Sequence, residues 1–192
     1  GDVYKRQVSS SSIEPFMGTL YDFAESGTFP SVTSATITDV KVDKENSYEL
    51  TQDADNLFWN VSDGKTTEKA DTTKAGTVTS AVGSLAYDKF VDYNCTDDSK
   101  YGFDDPYAVI TVKYTEDEQE TQTVEKTLTI YVGDETGDDR YVKVDDSKEV
   151  YTITKDSLTD ILDSTMSDFY SMTVSYVSAN NLDSLEVQSA DG

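Results

Sequence analysis

Two stretches, AVITVKY at residues 108–114 and KTLTIYV at residues 126–132, decide the fold of this chain. In both, apolar and polar side chains alternate, which places the apolar set on one face of a strand. That face comprises Ile110, Val112, Tyr114, Leu128, Ile130 and Val132. The acidic stretch 115–122 between them predicts a hairpin loop. The pair therefore predicts an antiparallel hairpin.

Shorter elements are predicted on both sides of this hairpin. Extended segments are expected at 36–42, 48–50, 57–61, 89–93, 141–144 and 150–153. Apolar residues recur at helical spacing at 12–24, from an N-cap at Asp71 to about Tyr87, and at 157–169. Runs of strands with short antiparallel connections, interrupted by helices, are typical of the α+β class. We therefore expect an α+β fold, a mostly antiparallel sheet of short strands with two to three amphipathic helices packed on it.

The composition excludes several kinds of function. The 192 residues carry 38 acidic and 15 basic side chains, a net charge of −23 that repels nucleic-acid phosphates and anionic lipid headgroups. The chain has no histidine and one cysteine, Cys95, which excludes His-dependent acid–base catalysis, the usual nucleophile triads and the usual zinc sites within it. We expect no enzyme, no catalytic residue, no cofactor, no nucleic-acid partner and no direct membrane contact by this fragment.

The beginning of the chain resembles its end. When Ser12 is placed on Ser157, residues 8–42 lie over residues 153–187 with apolar character matched. Such self-similarity is typical of tandem arrays, although any amphipathic helix followed by a strand would match this loosely. Asp2–Gln7 reads like the translation of a sequencing adapter. We therefore expect 1–7 to be an adapter scar, 8–30 the closing helix of a preceding unit, 31–170 one complete unit and 171–192 the first strands of a following unit.

The order of the motifs is more distinctive than any one of them. They are a strand with Trp59, YGFDDP at 101–106, LTIYVGD at 128–134, YVKV at 141–144, EVYTI at 149–153 and a closing helix. In this order they resemble the bacterial family called domain of unknown function 4340, over about residues 31–170. Gly102 can take positive φ, and Pro106 disfavours helix at Asp105. We expect the structural motif to comprise Tyr101, Gly102, Asp105, Pro106 and Gly133.

The resemblance carries expectations about the setting of the protein. Members of the family are extracytoplasmic, are often anchored by an N-terminal helix or lipid, and sometimes carry the domain in tandem. Some are encoded beside ABC-type export systems, and no catalytic residues are established for the family. The resemblance thus implies a non-enzymatic module of a bacterial envelope protein, anchored through an N-terminal segment missing from this fragment. Its partners would be envelope proteins, including ABC transporter components, and its role that of a scaffold or partner-binding element.

A calcium- or glycan-binding surface domain is the alternative. Around Gly137, the side chains of Asp134, Glu135, Asp138 and Asp139 offer the oxygen ligands that calcium prefers. The regular Asp-x-Asp-x-Asp-Gly spacing with a distal Glu is absent, and solvated turns on an acidic surface explain the same residues. Trp59 and the tyrosines could line a sugar-binding face, although a Trp in an alternating strand is more often in a core.

Overall fold

Nine strands are present in the computed structural model, which describes residues 27–53, 58–118, 122–172, 184 and 186. They are β1 (Ile37–Asp43), β2 (Tyr48–Gln52), β3 (Trp59–Ser62), β4 (Thr67–Ala70), β5 (Lys89–Asp92), β6 (Ala108–Glu118), β7 (Gln122–Thr136), β8 (Asp139–Val144) and β9 (Val150–Thr154). They form one sheet in the order β4-β3-β2-β1-β6-β7-β8-β9-β5. Every neighbouring pair is antiparallel, which confirms the predicted strand direction.

The expected α+β class is wrong. The described residues form a nine-stranded antiparallel sheet with only two short α-helices, α1 (Thr72–Gly83) and α2 (Lys155–Leu162), so the architecture is mainly β. The central hairpin is longer than predicted, because β6 and β7 span 11 and 15 residues and continue through the acidic segment expected to be a loop. Cross-strand partners compensate its charges: Lys126 pairs with Glu116, and Thr123 donates a hydrogen bond to Asp117.

The second helix is shorter than its apolar spacing predicts. It ends at Leu162, and Met166–Phe169 forms a separate 3₁₀ helix. At the start of that 3₁₀ helix, the carboxylate of Asp168 accepts hydrogen bonds from the backbone N–H and the hydroxyl of Thr165. This local cap starts a new helical turn where the periodicity alone predicts continuation. The helix predicted at 12–24 lies outside the described residues.

The two helices cover one face of the sheet. Asp71 caps α1 by accepting hydrogen bonds from the backbone N–H groups of Thr73 and Lys74. The apolar residues that the helices bury are Ala75, Val78, Val82, Leu158, Ile161 and Leu162. They pack against alternate residues of the strands, among them Val40, Leu50, Trp59, Ile110, Ile130 and Ile153. This face forms the main core.

A smaller core lies on the other face of the sheet. It contains Cys95, Tyr101, Phe103 and Val150, with Tyr131 and Tyr141 partly buried against them. Tyr131 alternates with Ile130 and Val132 along β7, which is why it faces away from the helices. The irregular segment 93–106 crosses to this second face and covers part of it.

Residues near the two ends of the described segment 27–172 contact opposite sides of the sheet. Near the beginning of this segment, Phe29 and Val32 are buried in the main core, and the backbone N–H of Gly27 donates to the hydroxyl of Tyr151 at 3.2 Å. Near its end, Tyr170 bridges to Ala70 on the outer edge of β4. The unit boundaries expected at residues 30 and 170 remain predictions. Neither described helix has the length and apolar character required to cross a bilayer.

Candidate functional site

The predicted turn motif packs against the predicted strand end. Between Val132 and Glu135 the pairing of β7 with β8 shifts register, which places Gly133 and Asp134 in a bulge. The bulge frees the backbone N–H of Asp134, which donates to the carbonyl oxygen of Tyr101 at 2.9 Å. The carbonyl oxygen of Gly133 accepts from the guanidinium of Arg140 at 3.0 Å.

Both glycines of the motif lie where neighbouring atoms leave no room for a Cβ. A Cβ on Gly133 would lie 2.1 Å from the carbonyl oxygen of Tyr101. Gly102 has a φ of 74°, as predicted, and a Cβ there would lie 2.6 Å from the carboxylate of Asp134. The structure therefore brings together Tyr101, Gly102 and Gly133. The exposed Asp105 and the partly buried Pro106 lead from the turn towards β6.

Beside this motif lies an open groove of about 700 Å³ on the second face of the sheet. It is lined by residues 95–99, 103–104, 131, 143 and 145–148, and we call it the acidic groove. Its charged lining residues are Asp97, Asp98, Asp104, Asp145 and Asp146 against Lys143 and Lys148. The lining therefore has an excess of negative charge, like the chain as a whole.

The floor of the acidic groove is aromatic and already holds one ammonium group. Tyr131 of β7 lies directly across from Lys143 of β8 in the sheet. The Nζ atom of Lys143 lies 5.0 Å from the ring centroid of Phe103 and 5.4 Å from that of Tyr131. It also pairs with a carboxylate oxygen of Asp98 at 2.7 Å. The floor thus combines cation–π contacts with a carboxylate.

The two walls of the groove are fixed by backbone hydrogen bonds. Cys95 is buried, and its N–H donates to the carbonyl oxygen of Lys148 at 2.8 Å, which joins one wall to the other. Asp145 has a φ of 48°, and its side chain accepts from the backbone N–H of Thr129 at 2.8 Å. This side-chain hydrogen bond continues the pairing of β8 with β7 beyond the end of β8. The groove therefore has a built frame.

Two carboxyl groups outside the groove lining are stabilised as anions. The pKa of Asp92 is lowered by the backbone N–H of Asn94, and further by the hydroxyl of Tyr101 and the ammonium of Lys100. The pKa of Asp139, the first residue of β8, is lowered mainly by its hydrogen bond from Lys89. A general acid for catalysis near neutral pH needs a raised pKa, so these shifts are in the opposite direction.

The four residues considered as calcium ligands each contact a different set of groups. Glu135 pairs with Arg140 at 2.7 Å and with Lys155 at 3.2 Å. The buried Asp139 pairs with Lys89 at 2.7 Å, the carbonyl of Asp138 accepts from the N–H of Lys155, and Asp134 lies against Gly102. Within the described part of the chain, no group of three or more His, Cys, Asp or Glu residues is arranged to hold a metal ion. Trp59 is only 7% exposed and belongs to the main core.

The family model described as domain of unknown function (DUF4340) matches residues 59–192. The chain belongs to this family. The match confirms the resemblance based on the motifs, and the DUF4340 region contains the turn motif and every residue of the acidic groove. The strands β1 and β2 precede the matched DUF4340 residues, yet β1 pairs with β6 in the same sheet. No curated protein and no solved structure matches the chain.

The residues of the groove floor were not predicted as a site. In the sequence, Tyr131 and Lys143 are members of their strands that lie opposite the apolar face. This alternation is the signal that could have indicated the site, because it places both side chains on the second face of the sheet. Without the register of β7 against β8, however, their contact could not be inferred.

Proposed function

We propose that this chain is a non-catalytic scaffold or partner-binding module of a bacterial envelope protein, and that the acidic groove is its binding surface. One observation carries the proposal. On a sheet face that the helices leave open, segment 93–106 and turn 145–148 frame a cleft of about 700 Å³. That volume lies in the range of about 300–1,000 Å³ that is usual for binding pockets.

The electrostatics of the acidic groove support binding over catalysis. Asp98 and Lys143 neutralise each other in a salt bridge, and the pKa of Asp92 outside the lining is lowered, first by the backbone N–H of Asn94. Groups with fixed charge are suited to recognition, because their field does not change during the encounter with a partner.

The cellular setting rests on the family resemblance alone. Extracytoplasmic location, anchoring through a segment outside this fragment, tandem repetition and partnership with ABC-type export components all belong to the proposal. Acidity fits such a role, since a chain with a net charge of −23 stays hydrated and resists self-association.

Photo-crosslinking tests the proposed binding surface. A photoreactive amino acid is placed at Asp146 in the groove and, as the control, at the exposed Asp160 on α2, on the opposite face. Each protein is illuminated in an envelope extract from a bacterium that encodes DUF4340 proteins. We expect a discrete crosslinked product at position 146 that is absent at position 160. Equal products at the two positions, or none at 146, would contradict the proposal.

A further inference from the structure

We propose that the acidic groove recognises a lysine-bearing or arginine-bearing segment of a partner protein, and that Lys143 occupies the place of one of that segment's cationic side chains. The inference rests on the proposed function, and it names the chemistry of the partner.

The aromatic floor shows which group the groove accepts. The ammonium of Lys143 lies over the rings of Phe103 and Tyr131, at 5.0 and 5.4 Å from their centroids, and within 2.7 Å of Asp98. Only 15% of the Lys143 side chain is exposed, so the cation is held in a partly desolvated position. Contacts of a cation with aromatic faces strengthen when water is excluded. An alkylammonium or guanidinium group is therefore the chemistry that this floor stabilises.

The rim carries negative charge that Lys143 does not neutralise. Asp104 and Asp146 are exposed lining residues of the groove, and neither has a hydrogen-bond or ion-pair partner within the described residues. Lys148 is the other basic residue of the lining, so the acids outnumber the bases. In the same groove as the Lys143 ammonium, these carboxylates are uncompensated. They would attract further cationic side chains of an incoming segment and steer its approach.

The form of the groove favours a peptide segment over a compact small molecule. The cleft is open, and backbone hydrogen bonds such as that from Cys95 to Lys148 fix its walls. An extended segment can place one cationic side chain on the aromatic floor and the next ones at Asp104 and Asp146. Lys143 would then move aside or share Asp98 with the incoming group.

Peptide titration with matched variants tests this inference. The probe is a short fluorescein-labelled peptide of alternating Lys and Gly, and binding is followed by fluorescence anisotropy at physiological salt, where charges beyond about 8 Å are screened. Asp104→Asn combined with Asp146→Asn is compared with Glu68→Gln combined with Asp160→Asn. Both double variants remove the same charge, but the second removes it at exposed sites outside the groove. We expect the groove variant to weaken binding by about tenfold, the sum of two exposed ion pairs, and the control to change it by less than about twofold.

Lys143→Met is the second arm. It removes the resident ammonium while keeping an unbranched apolar side chain on the aromatic floor, so we expect the peptide to bind several-fold more tightly. Thermal unfolding confirms that the variant is folded, and the double-variant comparison does not depend on it. Equal weakening by the two double variants would overturn the proposal, as would weaker binding to a folded Lys143→Met protein. Stronger binding of free spermidine than of the peptide would likewise overturn the assignment to a protein segment.

Different results would refute the binding module and the basic partner segment. A discrete photo-crosslink at position 146 together with peptide binding that ignores the groove charges would leave the binding module in place and refute a basic partner. The reverse outcome, charge-dependent peptide binding with no crosslink at 146 in the extract, would support the chemistry of the groove and count against the proposed envelope partner.

Discussion

The backbone N–H of Asp134 donates a hydrogen bond of 2.9 Å to the carbonyl oxygen of Tyr101. This bond joins a turn that follows β5 to a bulge in β7, two segments that are more than 30 residues apart in the sequence. Gly133 lies directly beside it, and the ring of Phe103 covers the same position. The frame of the acidic groove therefore depends on backbone atoms approaching each other more closely than any side chain would allow.

Gly133→Ala tests that approach. The added methyl group would lie 2.1 Å from a backbone oxygen that cannot rotate away, so the bulge and the turn must separate. We expect a loss of about 1–3 kcal/mol in the free energy of unfolding, measured by urea denaturation. Gly76→Ala in α1 is the control, because a Cβ there meets nothing within 4 Å. It should stabilise the protein by about 0.5–1 kcal/mol. Similar midpoints for the two variants would refute the argument.

Gly102→Val tests the turn itself. The φ of 74° is unfavourable for a β-branched residue, and the new side chain would also meet Asp134. We expect a loss of more than about 1 kcal/mol in stability. Gly137→Val separates the two causes, since Gly137 has a φ of 66° but open space around it. A neutral result at Gly102 in denaturant melts would show that the turn can take another conformation.

Asp145 should tolerate only residues that suit its backbone. Its φ is 48°, and its carboxylate accepts a hydrogen bond from the N–H of Thr129. Asp145→Asn keeps an acceptor and a residue type that enters the left-handed region, so we expect little change in stability. Asp145→Ala loses both and should cost about 1–2 kcal/mol, read from thermal unfolding. If the two variants have the same melting temperature, the side-chain hydrogen bond contributes nothing measurable to stability.

The ion pair of Asp139 with Lys89 should give a stability contribution that depends on pH. Asp139 is buried, and its pKa lies below the ordinary value of 3.8, first because of the hydrogen bond from Lys89. A carboxylate with a lowered folded pKa stabilises the protein above its unfolded pKa, and the contribution is lost as the pH falls through the folded pKa.

The measurement compares Asp139→Asn with wild type in urea melts from pH 7 downwards. The variant should be less stable at pH 7, and the difference should shrink only below about pH 4, the unfolded pKa of an aspartate. Asp160→Asn on α2 serves as the control for the removal of one exposed carboxylate. A constant difference down to pH 2 would mean that the Asp139→Asn variant is destabilised by altered packing and not by the loss of charge.

Calcium should not stabilise the protein. Glu135 and Asp139 are bound to Arg140, Lys155 and Lys89, so an ion would have to break two sets of salt bridges to gather its ligands. A specific site filled at about 100 times its dissociation constant would add about 2.7 kcal/mol. We therefore expect identical melting curves in millimolar calcium and in chelator. A shift that disappears in Asp138→Asn would establish a site at this turn.

Local patterns predicted most of the strands. They did not predict how strongly strands predominate over helices in this fold. The alternation in β6 and β7 and the cap at Asp71 are local signals, and both appear in the structure. The TEKA strand β4 has no alternating pattern, and it forms because a tight turn at Asp63 folds it back on β3. The acidic end of the β6–β7 hairpin is extended because its charges meet Lys126 and Thr123 across the ladder.

The candidate site likewise has one part that the sequence predicts and another that it does not. Gly102 and Pro106 favour a turn because of their own backbone preferences. This part of the motif can therefore be predicted from the sequence. The groove arises from pairing between distant segments, with Tyr131 opposite Lys143 and Cys95 bonded to Lys148. Contacts of this kind depend on strand register, which a single sequence does not specify.

Two contacts hold Gly27 and Tyr170 at opposite sides of the sheet. Gly27 contacts Tyr151 on β9, whereas Tyr170 bridges to Ala70 on β4, and the strand order puts β4 and β9 seven spacings apart. At about 4.8 Å for each spacing, the backbone crosses about 30 Å sideways, perpendicular to the strands. Within the described residues, these two contacts therefore lie at opposite sides of the sheet, separated by nearly its full width.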